Sequence, residues 1–368
     1  MINLSFFKKG GSRTKVRFYL TFVTIMLFWV ACSKDKSTSP SWKPAYTEVS
    51  AIDQVQNMGR GVNLGNALEA PNEGDWGMTL QSEYFQVVAA AGFDNVRIPI
   101  TWATHTKEIP PYTVEPSFFK RIDWVIEQSL RNGLIVIINH HHFDELDENP
   151  ESIILNSPRN IFLGIWKQIA ERYQDMPNSV VFEINNEPHN NFTANVWDDL
   201  WKETLAIIRE TNPTRNVIVG PIDWNSIYSL NTLNMPSLEE DAHLIVTFHY
   251  YNPFQFTHQC ASWAGDEACN WKGTTWGTSA EYTKITNDFE TAARWAFAQG
   301  RPLYLGEFGA YQEADTQSRV RWMSHMARTA EAKGMAWSYW EFGAGFGLYD
   351  RGKHEWRTAL LNALIPAE

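Results

Sequence analysis

Two stretches of the chain, Val181-Phe-Glu-Ile-Asn-Asn-Glu-Pro188 and Pro302-Leu-Tyr-Leu-Gly-Glu-Phe-Gly309, share one pattern that indicates the fold. Each begins as a short apolar run, typical of a strand that is buried on both faces, and then changes into a polar segment that contains a glutamate. These glutamates are Glu187 and Glu307. Because the strands of a parallel barrel end at a common mouth, we expect the two carboxylates to meet there.

The same kind of apolar run recurs along the chain and alternates with segments of helical period, which predicts an α/β fold. The runs predict eight strands, at residues 59–64, 95–100, 134–139, 180–184, 216–220, 244–249, 302–306 and 336–340. Helices are predicted at residues 80–91, 116–132, 160–174, 195–211, 279–299 and 316–333, whereas the interval 220–244 has little helical signal. Eight strands rich in Val, Ile and Leu predict a closed (β/α)8 TIM barrel, a single catalytic domain over residues 50–368. A doubly wound sheet is less favoured because no Gly-x-Gly-x-x-Gly segment opens a helix.

The composition bears on the class of partner. The chain has 368 residues and a formal net charge of -11, which argues against a nucleic-acid partner, since binding phosphates requires clustered Lys and Arg. The chain also contains 17 Trp, more than a core usually requires. Indole rings pack well against the C–H faces of sugars, so a carbohydrate is one candidate for what these tryptophans line.

Residues 1–32 have the pattern of an export signal. A basic region that includes Lys8 and Arg17 precedes an uncharged apolar stretch over residues 18–31. The ending Val30-Ala31-Cys32 resembles a bacterial lipobox and predicts that Cys32 is lipidated, although Trp29 stands where Leu is usual; ordinary signal cleavage is the alternative. Residues 33–49, which begin with a segment rich in Ser, Lys and Pro, are predicted to form a flexible tether. We therefore expect an exported protein at the cell surface or in the periplasm, as an outer-membrane lipoprotein or else secreted, that touches a membrane only through this anchor.

Cys260 and Cys269 lie in a loop that also holds Trp263 and Trp271. In an exported protein a disulfide between these two cysteines is permitted. Two reduced thiols fit the sequence equally well, and neither cysteine has a metal-site pattern around it. The sequence leaves their oxidation state open.

The paired glutamates are the principal candidates for catalysis. Hydrolysis of a glycosidic bond needs one carboxyl group that protonates the leaving oxygen and a second that attacks the sugar or activates water. A glutamate at a strand end is also often a salt-bridge partner, but two in one barrel favour the catalytic interpretation. Arg97 lies in the apolar strand Asn95-Val-Arg-Ile-Pro-Ile100 and needs a charged partner there. We predict that this partner is Glu307, with a structural ion pair to another acid as the alternative.

Several aromatic and imidazole side chains follow other strands. His140, His141 and His142 end the third strand, and because alternate residues share a face, a metal site at His140 and His142 is one alternative. His249 and Tyr251 are also two residues apart, so both could face the mouth, and a Tyr251 hydroxyl could orient a carboxylate. Trp340, at the end of the last strand, is a candidate surface for sugar stacking.

Taken together, these motifs resemble glycoside hydrolase family 5, the clan A family of bacterial endoglucanases, mannanases and cellulases. The resemblance covers residues from about 50 to the end and is carried by Asn186-Glu187-Pro188, Arg97-Ile-Pro99, His141-His142, His249-Tyr-Tyr251, Glu307-Phe-Gly309 and Trp340-Glu341. It implies that Glu187 is the acid/base and Glu307 the nucleophile of a retaining enzyme without a cofactor or a metal. It further implies substrate-binding or orienting roles for Arg97, His141, His142, Asn186, His249, Tyr251, Trp340, Asn66, Glu69 and Glu341.

The function that the resemblance implies is an endo-β-1,4-glucanase acting on cellulose-type, mixed-linkage and mannan polysaccharides, in a protein expected to be monomeric. One alternative is a β-1,4-mannanase as the main activity. Another is a surface lipoprotein that binds glycans without cleaving them. A metal-dependent hydrolase centred on His140 and His142 is a third.

Overall fold

The computed structural model describes residues 42–366 of the chain. Within them, eight parallel strands close into a barrel in chain order from β1 to β8. The strands are β1 (Arg60–Asn63), β2 (Asn95–Ile98), β3 (Ile135–Asn139), β4 (Val180–Glu183), β5 (Val217–Val219), β6 (Leu244–His249), β7 (Leu303–Glu307) and β8 (Ala336–Tyr339). A separate antiparallel pair, β9 (Tyr349–Asp350) and β10 (Glu355–Trp356), follows the barrel. The predicted (β/α)8 barrel is confirmed.

The helices surround the barrel and also close one of its ends. They are α1 (Ala51–Met58), α2 (Ser82–Ala90), α3 (Pro116–Arg131), α4 (Asp144–Glu148), α5 (Pro158–Tyr173), α6 (Ala194–Arg209), α7 (Ile222–Asn225), α8 (Phe254–Thr257), α9 (Ser279–Gln299), α10 (Thr316–Ala332) and α11 (Thr358–Leu364). All six predicted helices are present, with ends that differ by two residues at most. The interval 220–244 contains only short helical turns, in agreement with its weak helical signal.

The N-terminal predictions concern a part of the chain that is not described. The predicted signal at residues 1–32, its Cys32, and residues 33–41 of the predicted tether lie outside residues 42–366. Over the described range, none of the helices combines the length and the apolar character needed to cross a membrane.

The barrel strands alternate between an outward and an inward face. In β4, Val180 and Phe182 pack outward against the helices, whereas Val181 and Glu183 point into the barrel. The lower part of the interior is apolar, and we call it the lower layer; its strand residues are Ile137, Val181, Ile218, Ile245, Tyr304 and Ala336. Helix α1 closes this end because its buried face, with Val55 and Met58, packs against the lower layer.

The upper part of the interior is polar and charged. This upper layer consists of Asn63, Arg97, Glu183, His249 and Glu307, all buried, at the ends of the strands from which the active-face loops leave. The interior therefore changes from apolar to charged along the barrel axis.

The segment between β6 and α9 is the longest connection over the mouth. Cys260 and Cys269 form a disulfide in it, which answers the question that the sequence left open. Gln259 stabilises the same segment, since its amide donates to the carbonyls of Phe256 and Thr274 and accepts from the Gly273 N–H. The loop is thus held at several points although it contains little regular structure.

Candidate active site

The two predicted carboxylates meet at the mouth of the barrel. Glu307 is the last residue of β7, and Glu187 lies in the loop that follows β4. One carboxylate oxygen of each, together with a ring nitrogen of His249, lie within 4.8 Å of one another. Carboxyl groups of retaining glycosidases are separated by about 5–5.5 Å, and those of inverting enzymes by about 6.5–9.5 Å. The observed spacing therefore fits the retaining geometry.

Glu307 is held on both of its oxygens. Arg97 Nη1 donates to Oε1 at 2.6 Å, and the Tyr251 hydroxyl donates to Oε2 at 2.9 Å. Burial raises the pKa of Glu307 above its ordinary value, while His249 and Arg97 lower it. The prediction that Arg97 orients Glu307 agrees with this geometry.

Arg97 has more partners than the sequence predicted. Its guanidinium binds Glu183 through two hydrogen bonds of 2.6 and 2.7 Å, and it also donates to Asn63 Oδ1 and Asn186 Oδ1. With the bond to Glu307, all five N–H groups are satisfied. Glu183 was missed, although a charged residue inside an apolar strand is the same signal that identified Arg97. Arg97 itself is fully buried and acts on the site only through these partners.

Glu187 has an environment suited to holding a proton. Its backbone is in the left-handed region, with φ 48°, and its Oε1 lies 2.6 Å from His249 Nδ1. Burial raises the pKa of Glu187 to about 7, and Arg97 and His189 oppose this rise. Burial also lowers the pKa of His249 to about 4, so this imidazole is neutral near pH 7. A register shift between Phe248 and His249 places His249 opposite Glu307 on the neighbouring strand.

A cleft of about 1400 Å³ runs across the mouth. Glu187, Glu307, Asn186, His249 and Tyr251 line its centre. Asn186 Oδ1 accepts a hydrogen bond of 2.8 Å from Arg97 Nη2, which leaves the amide nitrogen of Asn186 available to a ligand. Side chains from the ends of β4, β6 and β7 that the sequence predicted as site residues therefore meet in this cleft.

One end of the cleft lies at the ends of β1 and β8. Trp340 and His141 stack in parallel there, with ring centroids 5.7 Å apart, and His142 packs edge-on to Trp76. Gly65 makes room for the indole, since a Cβ at this position would lie 2.8 Å from the Trp340 ring. His141, His142, Trp340, Asn66 and Glu69 all line the cleft, as predicted binding residues should.

Glu341 is an exception among the predicted binding residues. It is fully buried, and its carboxylate accepts N–H bonds from Gly343, Ala344 and Phe346. Glu341 does not line the cleft, so the predicted contact with a sugar is not made. Its carboxylate instead fixes the shape of the loop after β8. Glu69 makes similar bonds to the N–H groups of Asn66 and Ala67 but still reaches the cleft, and burial raises its pKa to about 8.

Another part of the cleft is lined by aromatic residues to which the sequence assigned no site role. Trp224 is 55% exposed and stacks on His189 with ring centroids 4.9 Å apart. Further along the wall, Trp263 packs against Tyr311 and Phe346 at 5.1 and 6.1 Å. Other members of this wall are Tyr228, Phe254 and His258. All of them lie in loops after β5 to β8, which is the only signal that could have pointed to them.

The two histidines of the metal alternative do not share a site. His140 is fully buried against Phe143 and Phe162, whereas His142 lines the cleft. Because β3 ends at Asn139, the strand alternation that placed them on one face does not extend to them. In the part of the chain that the structure describes, the cluster of ligand-type groups is Glu187, His249 and Glu307.

A carboxylate pair at the ends of β4 and β7, in an aromatic cleft of a (β/α)8 barrel, defines the class of glycoside hydrolases that use two acidic groups. The family model of cellulase, glycosyl hydrolase family 5, matches residues 36–345. The chain therefore belongs to glycosyl hydrolase family 5, as its motifs predicted.

Relatives and solved structures agree with this assignment. Endoglucanase H of Acetivibrio thermocellus is 39% identical over 336 residues, which cover 89% of this chain and 35% of that protein. Cellulase/esterase CelE of the same organism is 30% identical and is covered over 38% of its length. The chain thus spans little more than a third of these two relatives. The crystal structure of endoglucanase Cel5A from Thermotoga maritima is 44% identical, with a TM-score of 0.83, covering 86% of this chain and all of that chain. Cel5A has also been solved in complex with mannotriose and with cellobiose.

Proposed function

We propose that this protein is a retaining endo-β-1,4-glucanase that hydrolyses internal links of cellulose-type and mixed-linkage glucans. The observation that carries the proposal is the convergence of Glu187 and Glu307 within 4.8 Å in an open cleft. Endoglucanases among the relatives support the choice of glucan. No cofactor is needed, because both proton transfer and attack are within the chemistry of carboxyl groups.

In the first step, a carboxylate oxygen of Glu307 attacks the anomeric carbon of the sugar in the central subsite. The bond from this carbon to the glycosidic oxygen breaks, and Glu187 gives its proton to that oxygen as the leaving chain departs. A pKa of about 7 keeps Glu187 protonated below neutral pH, as a general acid requires. The product of this step is a glycosyl ester of Glu307.

In the second step, the ionised Glu187 takes a proton from a water molecule, whose oxygen attacks the anomeric carbon of the ester. The bond to Glu307 breaks, and both carboxyl groups return to their starting states. Two successive inversions retain the configuration of the sugar. Arg97 and Tyr251 support both steps because they fix the position of Glu307 through bonds to different oxygens.

Mannan is a second candidate substrate. The solved structure of Cel5A with mannotriose, from a protein 43% identical to this chain, is the observation that favours it. Glucose and mannose differ at the C2 hydroxyl, and Asn186 is the residue expected to contact it. We propose glucan hydrolysis as the main activity and mannan hydrolysis as the lesser one.

The test measures release of reducing ends from carboxymethylcellulose, barley mixed-linkage glucan and glucomannan by the purified protein. We expect hydrolysis of all three, a rapid fall in viscosity that marks internal cleavage, and retained anomers by NMR. Equal rates after exhaustive EDTA dialysis argue against the metal-dependent alternative. Binding of these polymers without cleavage would instead favour the non-catalytic surface protein, and inverted products would contradict the role of Glu307.

We also propose that the chain is exported and anchored through a lipid on Cys32, and that the catalytic domain is a monomer. The basic and apolar pattern of residues 1–32 and the ending Val30-Ala31-Cys32 support export and lipidation. Expression of the full chain in a Gram-negative host should give a membrane-bound protein that incorporates labelled palmitate, and Cys32→Ser should abolish the label. A wild-type chain recovered unlabelled in the medium would favour ordinary secretion.

A further inference from the structure

The turn that carries Glu187 has a backbone conformation that needs support. The turn belongs to the loop after β4, residues 184–193, and the φ of Glu187 is 48°. This left-handed conformation costs free energy in any residue other than glycine. Because the turn aims the carboxyl group that donates the proton, the residues that hold the turn also place the acid/base group.

His189 bonds directly to this turn. Its Nδ1 lies 2.6 Å from the backbone oxygen of Glu187. A carbonyl oxygen can only accept a hydrogen bond, so Nδ1 carries a proton and donates it. The bond fixes the peptide group between Glu187 and Pro188, and with it the left-handed turn.

The same imidazole stacks on Trp224, whose indole lines the cleft. The two ring centroids lie 4.9 Å apart, with an angle of 24° between the planes. The backbone N–H of Trp224 also donates to the Pro188 carbonyl at 3.3 Å, so the loops after β4 and β5 are joined through backbone and side chain. His189 does not itself line the cleft, so it acts there through Glu187 and Trp224.

Helix α4 supplies a further neighbour of His189. Asp147 Oδ1 lies 3.8 Å from Nδ1, which is too far for a hydrogen bond. Burial raises the pKa of Asp147 to about 8, so at neutral pH this carboxyl group is largely uncharged and does not draw the Nδ1 proton away from its backbone acceptor. Asn190 and Asn191 donate to Glu148 at 3.0 and 2.7 Å, which anchors the loop after β4 on α4.

Trp224 lies on the side of the mouth where the leaving sugar binds. The loop after β5, which carries Trp224, is next to the loop after β4 and four strands away from β1 in the closed barrel. Under the proposed function the cleaved sugar stacks on Trp340, after β8, and Glu187 protonates the oxygen of the leaving sugar. The exposed ring beside the acid is therefore the one that meets this leaving sugar.

We infer that His189 is a positioning residue that couples the general acid to the leaving sugar. It fixes the carboxyl group of Glu187 through the backbone and the ring of Trp224 through stacking. A sugar that settles on Trp224 therefore presents its glycosidic oxygen to a carboxyl group held by the same imidazole. The inference rests on the proposed function, because both neighbours of His189 act on one glycosidic bond.

The first test separates the acid from the rest of the site with two aryl β-cellobiosides. Phenolate needs a proton from the general acid in order to leave, whereas 2,4-dinitrophenolate departs without one. His189→Phe keeps a ring that can stack on Trp224 but has no N–H for the Glu187 carbonyl. We expect kcat/KM to fall about 10- to 100-fold on phenyl β-cellobioside and less than about threefold on 2,4-dinitrophenyl β-cellobioside.

The second test uses His189→Asn, whose amide can donate from nearly the position of Nδ1 but which has no ring. The ratio of the two kcat/KM values should stay within about threefold of wild type. KM for cellotetraose should rise about fivefold with kcat little changed, because Trp224 loses the ring that supports it. The matched control is His325→Phe, since His325 also bonds to a backbone carbonyl, that of Tyr282 at 3.1 Å, and packs on Trp276 away from the cleft. It should change neither quantity.

Three results would overturn the inference and leave the proposed function intact. They are equal losses by His189→Phe on the two aryl glycosides, no loss on either, and an unchanged KM of His189→Asn for cellotetraose. The first of them would mean that His189 only stabilises the fold. The asparagine variant decides the link to Trp224 even if His189→Phe fails to fold or the aryl glycosides are poor substrates. Wild-type protein that cleaves neither cellotetraose nor barley glucan would instead refute the proposed function.

Discussion

The lower and upper layers of the barrel interior are built on the same strands but follow opposite rules. In β4, Val181 belongs to the lower layer and packs with Ile137, Ile218 and the face of α1. Two residues later, Glu183 is equally buried but is ionically paired with Arg97. The lower layer gains free energy from the removal of apolar surface from water, whereas the upper layer must compensate the cost of burying charges with hydrogen bonds. The residues that stabilise the barrel and the residues that serve its chemistry are therefore separated along the barrel axis. Substitutions in the two layers should have separable effects on stability and on activity.

The largest effect is expected from Glu307→Gln in the upper layer. The amide cannot act as a nucleophile, so kcat should fall by about 10⁴-fold or more, as removal of a catalytic nucleophile does elsewhere. The free energy of unfolding should change by less than about 1 kcal/mol, because Arg97 keeps Glu183 as its counter-charge and no volume is lost. Hydrolysis of barley glucan and urea unfolding measure the two quantities. Glu313→Gln, near the surface, is the control, and wild-type turnover by Glu307→Gln would contradict the proposed role.

A second test compares two buried arginines. Arg97→Met leaves Glu183 and Glu307 buried without a counter-charge, which should cost about 3–5 kcal/mol of stability. It should also reduce kcat about 100-fold through misplacement of Glu307. Arg215→Met is the matched control, since Arg215 is buried but donates to backbone carbonyls away from the cleft, such as those of Pro177 and Val180.

Arg215→Met should therefore lose stability while its folded fraction keeps wild-type kcat. Unfolding in urea and initial rates well below the unfolding midpoint separate the two effects. If Arg97→Met retained wild-type kcat under conditions in which it is fully folded, Arg97 would contribute to stability and not to catalysis.

Ile218→Ala tests the lower layer. Ile218 is fully buried, and the cavity left by its truncation should lower the free energy of unfolding by about 3 kcal/mol. Because the lower layer makes no contact with the cleft, kcat/KM of the folded variant should stay within about twofold of wild type. Ile109→Ala, at an exposed position, controls for loss of an isoleucine. A large loss of kcat in Ile218→Ala would show that the two layers are coupled.

The smallest effect concerns pH. Burial raises the pKa of Glu187 and Glu341 to about 7 and that of Glu69 and Asp147 to about 8, so these groups keep protons in the folded state that the unfolded chain has lost. Stability should therefore fall as pH rises from 6.5 to 8. Buried histidines, whose pKa values are lowered, act in the opposite direction, and their effect is confined to the lower end of this window because the unfolded histidines lose their protons near pH 6.5.

Urea unfolding at pH 6.5 and pH 8 measures this dependence. The double variant Glu69→Gln with Asp147→Asn should flatten it, because the two groups with the highest raised pKa values are removed. A wild-type protein that is equally stable at the two pH values would contradict the raised pKa values of these buried carboxyl groups.

Much of the fold could be predicted because each barrel strand is buried on both faces and therefore appears as a continuous apolar run. The six long helices followed from their own periodicity. Helix α1 was not predicted. It packs against the open base of the barrel, and no local sequence pattern indicates that this base needs to be covered. Helix α4 and the short helices of the mouth are set by tertiary contacts in the same way.

The candidate site was predicted where a residue is unusual for its local context. Arg97 in an apolar strand and glutamates at strand ends are such signals, and Glu183 carried the same signal without being noticed. Glu341 shows the limit, because its position at the end of β8 is correct, but its carboxylate turns toward backbone N–H groups. The disulfide and the aromatic wall with Trp224 and Trp263 were also beyond prediction, since both depend on how long loops fold over the mouth.

The sequence by itself determined the number of barrel strands, their order and the residues that follow them, because burial periodicity and the chemistry of strand ends are local properties. It also determined the family, through short motifs at those ends. Only the tertiary structure decided the spacing of the two carboxylates, the choice of Glu183 as a partner of Arg97, and the aromatic lining of the cleft. These features depend on distances between segments far apart in the chain, which are fixed only when the barrel closes and its loops pack.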